Sequence, residues 1–523
     1  MVDLSLYLVT DSTPAILGDK DICQVVEAAL RGGVTCVQYR DKTSDTGVLV
    51  DVGRKLHEIT KKYGVPLLIN DRVDVALAVG CEGVHIGQDD MSFETARSIL
   101  GPEKIIGVTV SNAEETSAAC HGDASYLGIG TVFATPTKDN VKSIIGVAGL
   151  QDILRQLARE KPSMPSVCIG GINASNVSSV FWQCADFDGV YSLDGVAVVS
   201  AIMAAKDPEA AAKELKRLLA TPPKFMEDIT AASKDGRFKR SAEELLEEVP
   251  HVIQAVGKGK PLSHNMTNLV VQNFAANVAL CVGASPIMAN YGEEAKDLAK
   301  LGGALVINMG TVTPDGLENY LKALRAYNDA GNPVIFDPVG AGATAVRRSA
   351  TKTILTGGHI DVIKGNQAEI LSCLGDSEVQ QRGVDSGGAK LTAHQIAEVI
   401  KALAIQRDTI VVMTGKTDYV TAGERVYAIK NGHEYLGNVT GTGCCLGTTI
   451  SAMVAAWPQD KLAAAIAGLL FYNIAAELAA ERDDVKGPGS FVPAFLDSLY
   501  TIRMATMHGN LSWLERAQIQ DAV

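Results

Sequence analysis

The chain has 523 residues and a formal net charge of −13, and 47% of its residues are hydrophobic and 20% are charged. This length predicts two large domains of about 220 to 270 residues, because a single hydrophobic core rarely grows beyond about 300 residues. No run of lysines and arginines is long enough to form a basic stripe on this acidic chain, so nucleic acid is excluded as an expected partner.

The ten cysteines form no C-x-x-C pair, and most stand inside apolar runs, as reduced thiols of cytoplasmic proteins do. The N-terminal segment MVDLSLYLVTDS lacks the basic region and the long apolar core of a secretory signal. The most apolar helical segment, 462–480, carries Asn473 and Glu477 and is predicted as a buried core helix rather than a membrane span. We therefore expect a cytoplasmic protein with no membrane partner.

Eight strand-like runs recur in the first 220 residues, and segments with helical periodicity lie between most of them. The runs are 4–10, 36–40, 66–70, 83–87, 104–110, 126–130, 166–170 and 195–200. Eight βα units in this length predict a (β/α)8 TIM barrel, whose functional groups lie at the carboxyl ends of the strands.

The stretch 66–90 contains two of these strands with a helix between them. The first strand ends in Asn70 and Asp71, and the second is followed by Asp89 and Asp90. Because parallel strands point the same way, these carboxylates should meet at one rim of the barrel. Two carboxylates at one crevice suit Mg²⁺, which takes its other oxygens from water and phosphate. The alternative is that they are solvated loop acids, but neighbouring carboxylates repel and favour a bound cation.

Cations and hydroxyl groups follow two other strands. Alternation along the second strand places Gln38, Arg40 and Lys42 on one side, where two cations favour a diphosphate ligand. After the sixth strand, the segment TPTK (135–138) adds two hydroxyl groups and another cation.

The seventh and eighth strands end in residues typical of a barrel phosphate site. Gly170 and Gly171 follow the seventh strand, and Val199 and Ser200 stand before a helix after the eighth. Bare backbone N–H groups at these places can point at an anion, which favours phosphate binding over an ordinary glycine turn.

Seven segments of the first half carry a family resemblance. They are YLVTDS (7–12), VQYRDK (37–42), INDRVDVA (69–76), GVHIGQDD (83–90), TPTK (135–138), IGGI (169–172) and VVSAI (198–202). In this order and spacing they resemble thiamine-phosphate synthase, over about residues 4–220.

The resemblance implies that Mg²⁺ held by Asp71 and Asp90 binds the pyrophosphate of hydroxymethylpyrimidine diphosphate. The residues that it places around this substrate are Gln38, Arg40, Lys42, Asn70, Thr109 and Lys138. Those that it places around thiazole phosphate are Thr135, Thr137, Gly171, Val199 and Ser200. The family commonly has serine at the position of Thr109, and either residue offers a hydroxyl. In the implied reaction the exocyclic CH₂ of the pyrimidine carries positive charge as pyrophosphate leaves, so no protein nucleophile is required.

The segment 221–241 combines paired prolines and several charges with no sustained periodicity. It is predicted as a linker or a surface excursion. The two predicted domains are therefore 1–220 and 242–523.

Four strand-like runs of the second half alternate with helical segments. The runs are 304–308, 334–337, 360–366 and 409–414, and they end in Asn308, Asp337, Asn366 and Thr414. Polar residues at the carboxyl ends of parallel strands predict a ligand crevice in an α/β domain. A glycine-rich loop follows Asp337, and Lys364 and Glu369 add a cation and a carboxylate, so a second site for Mg²⁺ and phosphate is predicted.

The segment VTGTGC (439–444) precedes an apolar helix. Its glycines leave the first helical N–H groups unobstructed, which favours an anion hole for a transferring phosphoryl group. It matches neither a Walker A motif nor a dinucleotide fingerprint. Because a helix N-terminus lowers the pKa of a cysteine, Cys444 could be an activating base or a polar contact for a substrate hydroxyl. Local sequence equally allows a small buried residue beside Cys445.

Four segments of the second half carry another resemblance. They are HNMTNLVVQNFAANVALCVGASPIMA (264–289), FDPVGAGAT (336–344), IKGNQAEI (363–370) and TGTGC (440–444). Over about residues 245–515 they resemble hydroxyethylthiazole kinase, of the ribokinase-like class.

This resemblance implies a set of ligands and contacts. It places ATP near Lys364 and Thr414, Mg²⁺ near Asp337 and Glu369, and the thiazole alcohol against Met288 and Gly441. Cys444 takes the position where most ribokinase-like enzymes carry an aspartate base, and Lys364 stands where arginine is expected, which loses bidentate geometry. The kinase family is trimeric with sites between subunits, so a homo-oligomer built on trimers of this half is expected.

Together the resemblances imply a bifunctional enzyme acting on small molecules. The second half would phosphorylate hydroxyethylthiazole with ATP, and the first would join thiazole phosphate to the pyrimidine diphosphate, releasing pyrophosphate. The alternative is that one half has lost catalysis and serves as a scaffold or a metabolite-binding regulatory module.

Overall fold

The computed structural model describes residues 2–122, 124–135, 144–184, 192–375 and 391–522. The chain divides into two compact units, Met1–Pro222 and Pro223–Val523. Each unit has its own sheet and its own hydrophobic core.

The first unit is built on a closed barrel of parallel strands in chain order, in which β8 pairs with β1. Its strands are β1 Leu6–Val9, β2 Cys36–Tyr39, β3 Leu67–Asn70, β4 Gly83–Ile86, β5 Ile105–Val110, β6 Tyr126–Gly130, β7 Ser166–Ile169 and β8 Gly195–Val198. Each lies within one of the eight predicted runs, so the predicted (β/α)8 barrel is confirmed.

Helices follow the strands and pack their apolar faces on the outside of the barrel. They are α1 Pro14–Leu17, α2 Ile22–Arg31, α3 Thr46–Lys62, α4 Val73–Val79, α5 Phe93–Leu100, α6 Ala113–His121, α7 Gly146–Glu160, α8 Val177–Gln183, α9 Ser200–Met203 and α10 Pro208–Ala220. A smaller cluster of buried side chains, which includes Tyr7, Leu68, Tyr126 and Val167, fills the barrel interior.

The predicted unit within 66–90 is present as β3, α4 and β4. Asn70 pairs with His85 in the parallel register, and the backbone N–H of Asp71 donates to the carbonyl of His85 at 2.9 Å. Asp71 is therefore fixed where β3 ends, at the rim that the sequence predicts.

The second unit contains a mixed sheet in the order β10-β9-β11-β12-β13-β14-β15-β16-β17. Its strands are β9 Leu262–Met266, β10 Ser285–Ile287, β11 Ala304–Asn308, β12 Val334–Asp337, β13 Val362–Asn366, β14 Ile410–Thr414, β15 Asp418–Thr421, β16 Val426–Ile429 and β17 Ile519–Asp521. The six from β9 to β14 are parallel, and the last three extend the sheet antiparallel. The α/β class is confirmed, whereas sequence analysis predicted only β11 to β14, because the remaining strands are short or rich in polar residues.

Helices lie on both faces of this sheet. They are α11 Lys224–Lys234, α12 Ala242–Gly259, α13 Gln272–Val282, α14 Ala295–Lys300, α15 Pro314–Ala330, α16 Ala345–Leu355, α17 Gln367–Leu374, α18 Ala393–Arg407, α19 Tyr435–Asn438, α20 Thr442–Ala456, α21 Lys461–Ala480 and α22 Pro488–Met507. Within the described ranges only α21 is long and apolar enough to cross a membrane, and 89% of its apolar window is buried inside the protein. It is the core helix that the sequence predicts.

The segment 221–241 differs from the predicted linker, because most of it is helical and belongs to the second unit. The Phe225 ring stacks on His359 at 4.2 Å between ring centroids. Lys461 pairs with Asp228 at 3.2 Å and with the buried Asp361 at 2.7 Å. A three-turn helix shows too little periodicity to be recognised, and its attachment depends on partners far along the chain.

Candidate active sites

A cavity opens at the carboxyl ends of the barrel strands. The predicted site residues that line it are Gln38, Arg40, Lys42, Asn70, Asp71, Asp90, Thr109, Thr135, Gly171, Val199 and Ser200. The predicted residues Thr137 and Lys138 lie outside the described residues. The structure thus brings the described candidates from seven strand ends to one cavity.

Asp71 and Asp90 form a carboxylate pair at the rim of this cavity. Burial and the neighbouring Asp90 side chain raise the pKa of Asp71 to about 6, although the nearby Lys42 opposes the shift. Lys42 Nζ lies 3.1 Å from Asp71 Oδ2, and Asp90 Oδ2 accepts a hydrogen bond from the Gly87 N–H at 2.8 Å. Two carboxylates held this close favour a cation between them.

A divalent cation fits this pair by its donor chemistry. The described residues offer no cluster of three histidine, cysteine or carboxylate side chains anywhere. A cation at Asp71 and Asp90 would therefore complete its shell with water or substrate oxygens, which is the coordination that Mg²⁺ prefers.

Arg40 is positioned by a partner that sequence analysis missed. Its Nη1 lies 3.2 Å from Oδ2 of Asp11, whose side chain is only 3% exposed. Asp11 follows β1, and its Oδ1 accepts from the Thr13 hydroxyl at 2.5 Å. The sequence contained a signal for this role, because Asp11 also stands shortly after the end of a strand.

The opposite side of the cavity is built from the ends of β7 and β8. Gly170 and Gly171 both have positive φ, at 107° and 67°. A Cβ on Gly171 would lie 2.7 Å from Phe133 Cβ and 2.9 Å from the Ala134 carbonyl oxygen, so only glycine fits. The two glycines therefore present bare backbone to the cavity that Ser200 also lines, where a phosphate site was predicted.

Tyr7 and His85 also line the cavity and were not predicted. Both occupy interior positions of short barrel strands, where the default residue is apolar. A polar residue at such a position was the available signal.

In the second unit, Asp337 and Lys364 form a buried ion pair. Asp337 Oδ1 and Lys364 Nζ are 3.0 Å apart, and the two side chains are 1% and 5% exposed. Lys364 Nζ donates to the Gly443 carbonyl at 2.8 Å, and Asp337 Oδ2 accepts from Asn308 Nδ2 at 2.8 Å. Asp337 Oδ1 is close enough for ion pairing but has no well-angled hydrogen bond, so it keeps a lone pair for another ligand.

Glu369 lies beside this pair and accepts hydrogen bonds from two backbone N–H groups. Its Oε1 accepts from the Gly340 N–H at 2.9 Å, and its Oε2 accepts from the Asn366 N–H at 2.8 Å. Burial and the charge of Asp337 raise its pKa. A carboxylate already bonded at both oxygens fits a cation less directly than Asp337 does, although it adds negative charge to the same place.

Cys444 lies in the first turn of α20, and Gly441 is the N-cap of that helix, with φ 88°. Burial and the charge of Asp337 raise the pKa of Cys444 to about 11, against the lowering effect of Lys364. The expectation that the helix N-terminus lowers this pKa is therefore wrong, because desolvation of a thiolate outweighs the helix dipole.

Asn268 connects Cys444 to the buried ion pair and was not predicted. Its Nδ2 lies 3.9 Å from Cys444 Sγ and donates to Asn308 Oδ1 at 3.1 Å. Asn308 in turn donates to Asp337, so one chain of polar groups runs from the thiol to the carboxylate.

Met288 and Thr414 lie far from each other in the sheet. Met288 follows β10, the first strand in the sheet order, and Thr414 ends β14, the sixth. Five strand spacings of about 4.8 Å separate them by roughly 24 Å. Within one chain these two predicted contacts cannot touch the same small ligand, and they require two ligands or an extended one.

Comparisons with known proteins identify the family of each half of the chain. The family model for thiamine monophosphate synthase matches residues 6–202, and the model for the hydroxyethylthiazole kinase family matches residues 253–505. The chain is 42% identical over its whole length to the probable thiamine biosynthetic bifunctional enzyme of Schizosaccharomyces pombe, of which it covers 99%.

Of two further relatives, one matches nearly the whole chain and the other matches its second half. The thiamine biosynthetic bifunctional enzyme of Saccharomyces cerevisiae is 39% identical, with 96% of each chain covered. The hydroxyethylthiazole kinase of Moorella thermoacetica is 46% identical over 49% of this chain and 93% of its own. The chain therefore belongs to the family of thiamine biosynthetic bifunctional enzymes and carries both a thiamine-phosphate synthase domain and a hydroxyethylthiazole kinase domain.

Proposed function

We propose that the barrel cavity binds the pyrimidine diphosphate at the Asp71 side and thiazole phosphate at the Gly171 side. The observation that carries this assignment is the pair Asp71 and Asp90 facing one cavity with Arg40 and Lys42. Cations and a carboxylate pair suit a metal-bound diphosphate, whereas bare glycine backbone suits a monoester.

The other described candidate residues are divided between the same two substrates. Gln38, Asn70 and Thr109 contact the pyrimidine diphosphate, and Thr135, Val199 and Ser200 contact thiazole phosphate. Thr137 and Lys138 complete the two sets by the family resemblance.

In the synthase reaction, the bond between the pyrimidine CH₂ and the diphosphate oxygen breaks, and the diphosphate leaves with the electron pair. The thiazole nitrogen then forms the new bond to this CH₂. Arg40 and Lys42 stabilise the charge that develops on the leaving oxygen. Mg²⁺ held by Asp71 and Asp90 supplies further charge neutralisation when bound.

For the second unit, we propose that the glycine turn before α20 receives the γ-phosphoryl group of ATP, beside Asp337 and Lys364. The hydroxyl oxygen of hydroxyethylthiazole attacks the γ-phosphorus, the bond to the β,γ-bridging oxygen breaks, and the hydroxyl proton passes to a phosphoryl oxygen. Because its thiol is neutral at pH 7, Cys444 acts as a contact for the hydroxyl rather than as a base.

The other kinase candidates keep the roles that the family resemblance implies. Thr414 contacts ATP together with Lys364, and Met288 and Gly441 contact the thiazole alcohol. Mg²⁺ at Asp337, with charge from Glu369, would neutralise the phosphate oxygens.

A homo-oligomer formed through the kinase domain, a trimer or a multiple of it, is also proposed. Leu269 and Val270 support it, because they are 76% and 73% exposed next to Asn268. The ten free cysteines support a cytoplasmic location, where thiols stay reduced. Sedimentation velocity of the full chain tests the first proposal, since a monomeric mass at micromolar concentration would exclude it.

Calorimetric binding tests the two site assignments separately. Pyrophosphate with Mg²⁺ should bind the wild-type chain and lose about 100-fold in affinity in Asp71→Asn, because a first-sphere carboxylate is removed. An unreactive ATP analogue should bind Asp71→Asn as well as it binds the wild type, and it should lose affinity in Asp337→Asn. Unchanged pyrophosphate affinity in Asp71→Asn would contradict the barrel assignment.

A further inference from the structure

Five polar side chains form a continuous chain of hydrogen bonds through the interior of the barrel. In order, these are Gln38, Tyr7, Tyr126, His85 and Thr109, which we term the polar relay. Gln38 Nε2 donates to the Tyr7 hydroxyl at 2.7 Å, the two tyrosine hydroxyls are 2.8 Å apart, and His85 Nδ1 lies 2.8 Å from Tyr126. His85 Nε2 lies 2.8 Å from Thr109 Oγ1. Five different strands therefore contribute one member each.

The barrel makes room for the rings of the polar relay with two glycines. A Cβ on Gly107 would lie 2.1 Å from the Tyr126 ring, and one on Gly128 would lie 2.9 Å from His85 Cε1. Tyr7 and Tyr126 are both 1% exposed. Apolar side chains would fill this interior at a lower desolvation cost, so a fully connected polar chain here favours a functional role.

The hydrogens of the polar relay can be assigned one by one. Gln38 Nε2 donates to Tyr7, and we assign the Tyr7 hydrogen to Tyr126 and the Tyr126 hydrogen to His85 Nδ1, so that each contact has one donor. Burial raises the pKa of both tyrosines well above the usual value, so both retain their hydrogens. With Nδ1 accepting from Tyr126, the His85 ring carries a hydrogen on Nε2 and donates it to Thr109.

This assignment determines what Thr109 can offer to a ligand. Its Oγ1 accepts from His85, so its own hydroxyl hydrogen is free to donate, and Thr109 lines the cavity. The Thr109 backbone is fixed separately, because Gln88 Nε2 donates to its carbonyl at 2.7 Å. The polar relay is therefore not needed to hold the end of the strand, and it acts on the Thr109 hydroxyl.

We propose that Tyr7, Tyr126 and His85 are positioning residues that orient the Thr109 hydroxyl as a hydrogen-bond donor to a diphosphate oxygen of the pyrimidine substrate. The inference rests on the proposed contact of Thr109 with that substrate. An oriented donor needs no reorganisation when charge develops on the leaving diphosphate, so the relay acts on the transition state more than on binding.

A double-mutant cycle on the full chain tests the proposal through the synthase reaction. Thr109→Val should lower kcat by about 10- to 30-fold, the effect of one hydrogen bond to a charged group, and Thr109→Ser should restore the rate to within about threefold. Tyr126→Phe should lower kcat by about five- to tenfold, because His85 Nδ1 loses its donor and the Thr109 hydroxyl loses its fixed direction. In the Tyr126→Phe background, Thr109→Val should cost at most about threefold more.

Two controls separate positioning from a structural effect. Tyr39→Phe removes the hydroxyl of another buried barrel tyrosine, outside the relay, and should leave kcat within about twofold of wild type. The KM for thiazole phosphate and the kinase rate should stay unchanged in every variant. Tyr7→Phe provides a second interruption of the relay and replaces Tyr126→Phe in the cycle if that variant does not fold.

Two outcomes would overturn the proposal, and they have different meanings. If Thr109→Val keeps wild-type kcat, both the substrate contact and the relay are wrong. If Thr109→Val is impaired but its effect multiplies fully with that of Tyr126→Phe or Tyr7→Phe, the contact stands and the relay is wrong.

Discussion

The two proposed phosphate sites of this chain each contain a lysine–aspartate ion pair, and the two pairs differ in burial. At the barrel rim, Lys42 and Asp71 pair with side chains 55% and 21% exposed. In the kinase domain, Lys364 and Asp337 pair at a similar distance with side chains 5% and 1% exposed. Both sites place a carboxylate at the carboxyl end of a parallel strand, but only in the second site are the charges already buried from water without a substrate.

The difference in burial predicts a difference in what each charge does. A pair exposed to water contributes little to stability, so Lys42 is free to turn from Asp71 to a substrate. A buried pair is a structural element as well, because removal of one partner leaves an uncompensated charge. Catalysis and folding should therefore separate in the barrel and coincide in the kinase domain.

The largest expected effect is a crossed loss of activity. Asp71→Ala should lower the synthase rate by about 10³-fold or more, because the leaving diphosphate loses its metal-binding carboxylate, and should leave the kinase rate within about twofold. Asp337→Ala should do the reverse. Steady-state rates with each substrate pair measure this. Loss of both activities in either variant would contradict two separate sites.

The matched lysine variants test the contrast in burial. Lys364→Met should destabilise the second unit by about 3 to 5 kcal/mol, because Asp337 is left buried without its partner. Lys42→Met should change the stability of the barrel by less than about 1 kcal/mol and act on the KM of the pyrimidine diphosphate. Hydrogen exchange of peptides from each unit measures both. Equal destabilisation by the two changes would remove the distinction drawn between the sites.

Cys444 provides a test of intermediate size. Because its thiol is neutral, Cys444→Ser keeps a hydroxyl contact and should retain kinase activity within about tenfold, since one neutral hydrogen bond is exchanged for another. The kinase pH profile should also be the same in both proteins. If the pH profile of the wild-type kinase showed a rate-limiting ionisation that is absent from the profile of Cys444→Ser, the thiol would be a base.

The smallest effect concerns Asp418, a buried carboxyl of the kinase domain. Burial raises its pKa to about 6, against hydrogen bonds from Gly415 and Asn473. The folded state therefore holds this proton more tightly than the unfolded state, whose pKa is about 3.9. The stability contribution is full below pH 4 and is lost as pH rises through 6.

Asp418→Asn should accordingly flatten the fall in unfolding free energy of the second unit between pH 4 and pH 6. Denaturant titration at several pH values measures the difference between the two proteins. An identical pH dependence would show that Asp418 is already ionised in the folded protein at pH 4.

The strand ends were predictable because the pattern that forms parallel strands also fixes where their polar termini meet. Asp71, Asp90, Asp337 and Lys364 were found in this way. Positions defined by a partner strand were not, since Asp11 acquires its role only when β1 pairs beside β2 and meets Arg40.

Burial was the second property that local sequence could not supply. The motif before α20 predicts a lowered pKa for Cys444, but the packing around the helix start reverses the direction. Tyr7 and His85 were missed for a related reason. A single polar residue in a four-residue strand carries no sign of the hydrogen-bond chain that connects it across the barrel.

The most direct test of the central claim is a crystal structure of the full chain with Mg²⁺, pyrophosphate and an unreactive ATP analogue. We expect one metal within coordination distance of Asp71 and Asp90, and phosphate oxygens at the glycine turn before Cys444 with Asp337 beside them. Pyrophosphate bound away from the Asp71 and Asp90 pair, or a γ-phosphate remote from Gly443, would contradict it.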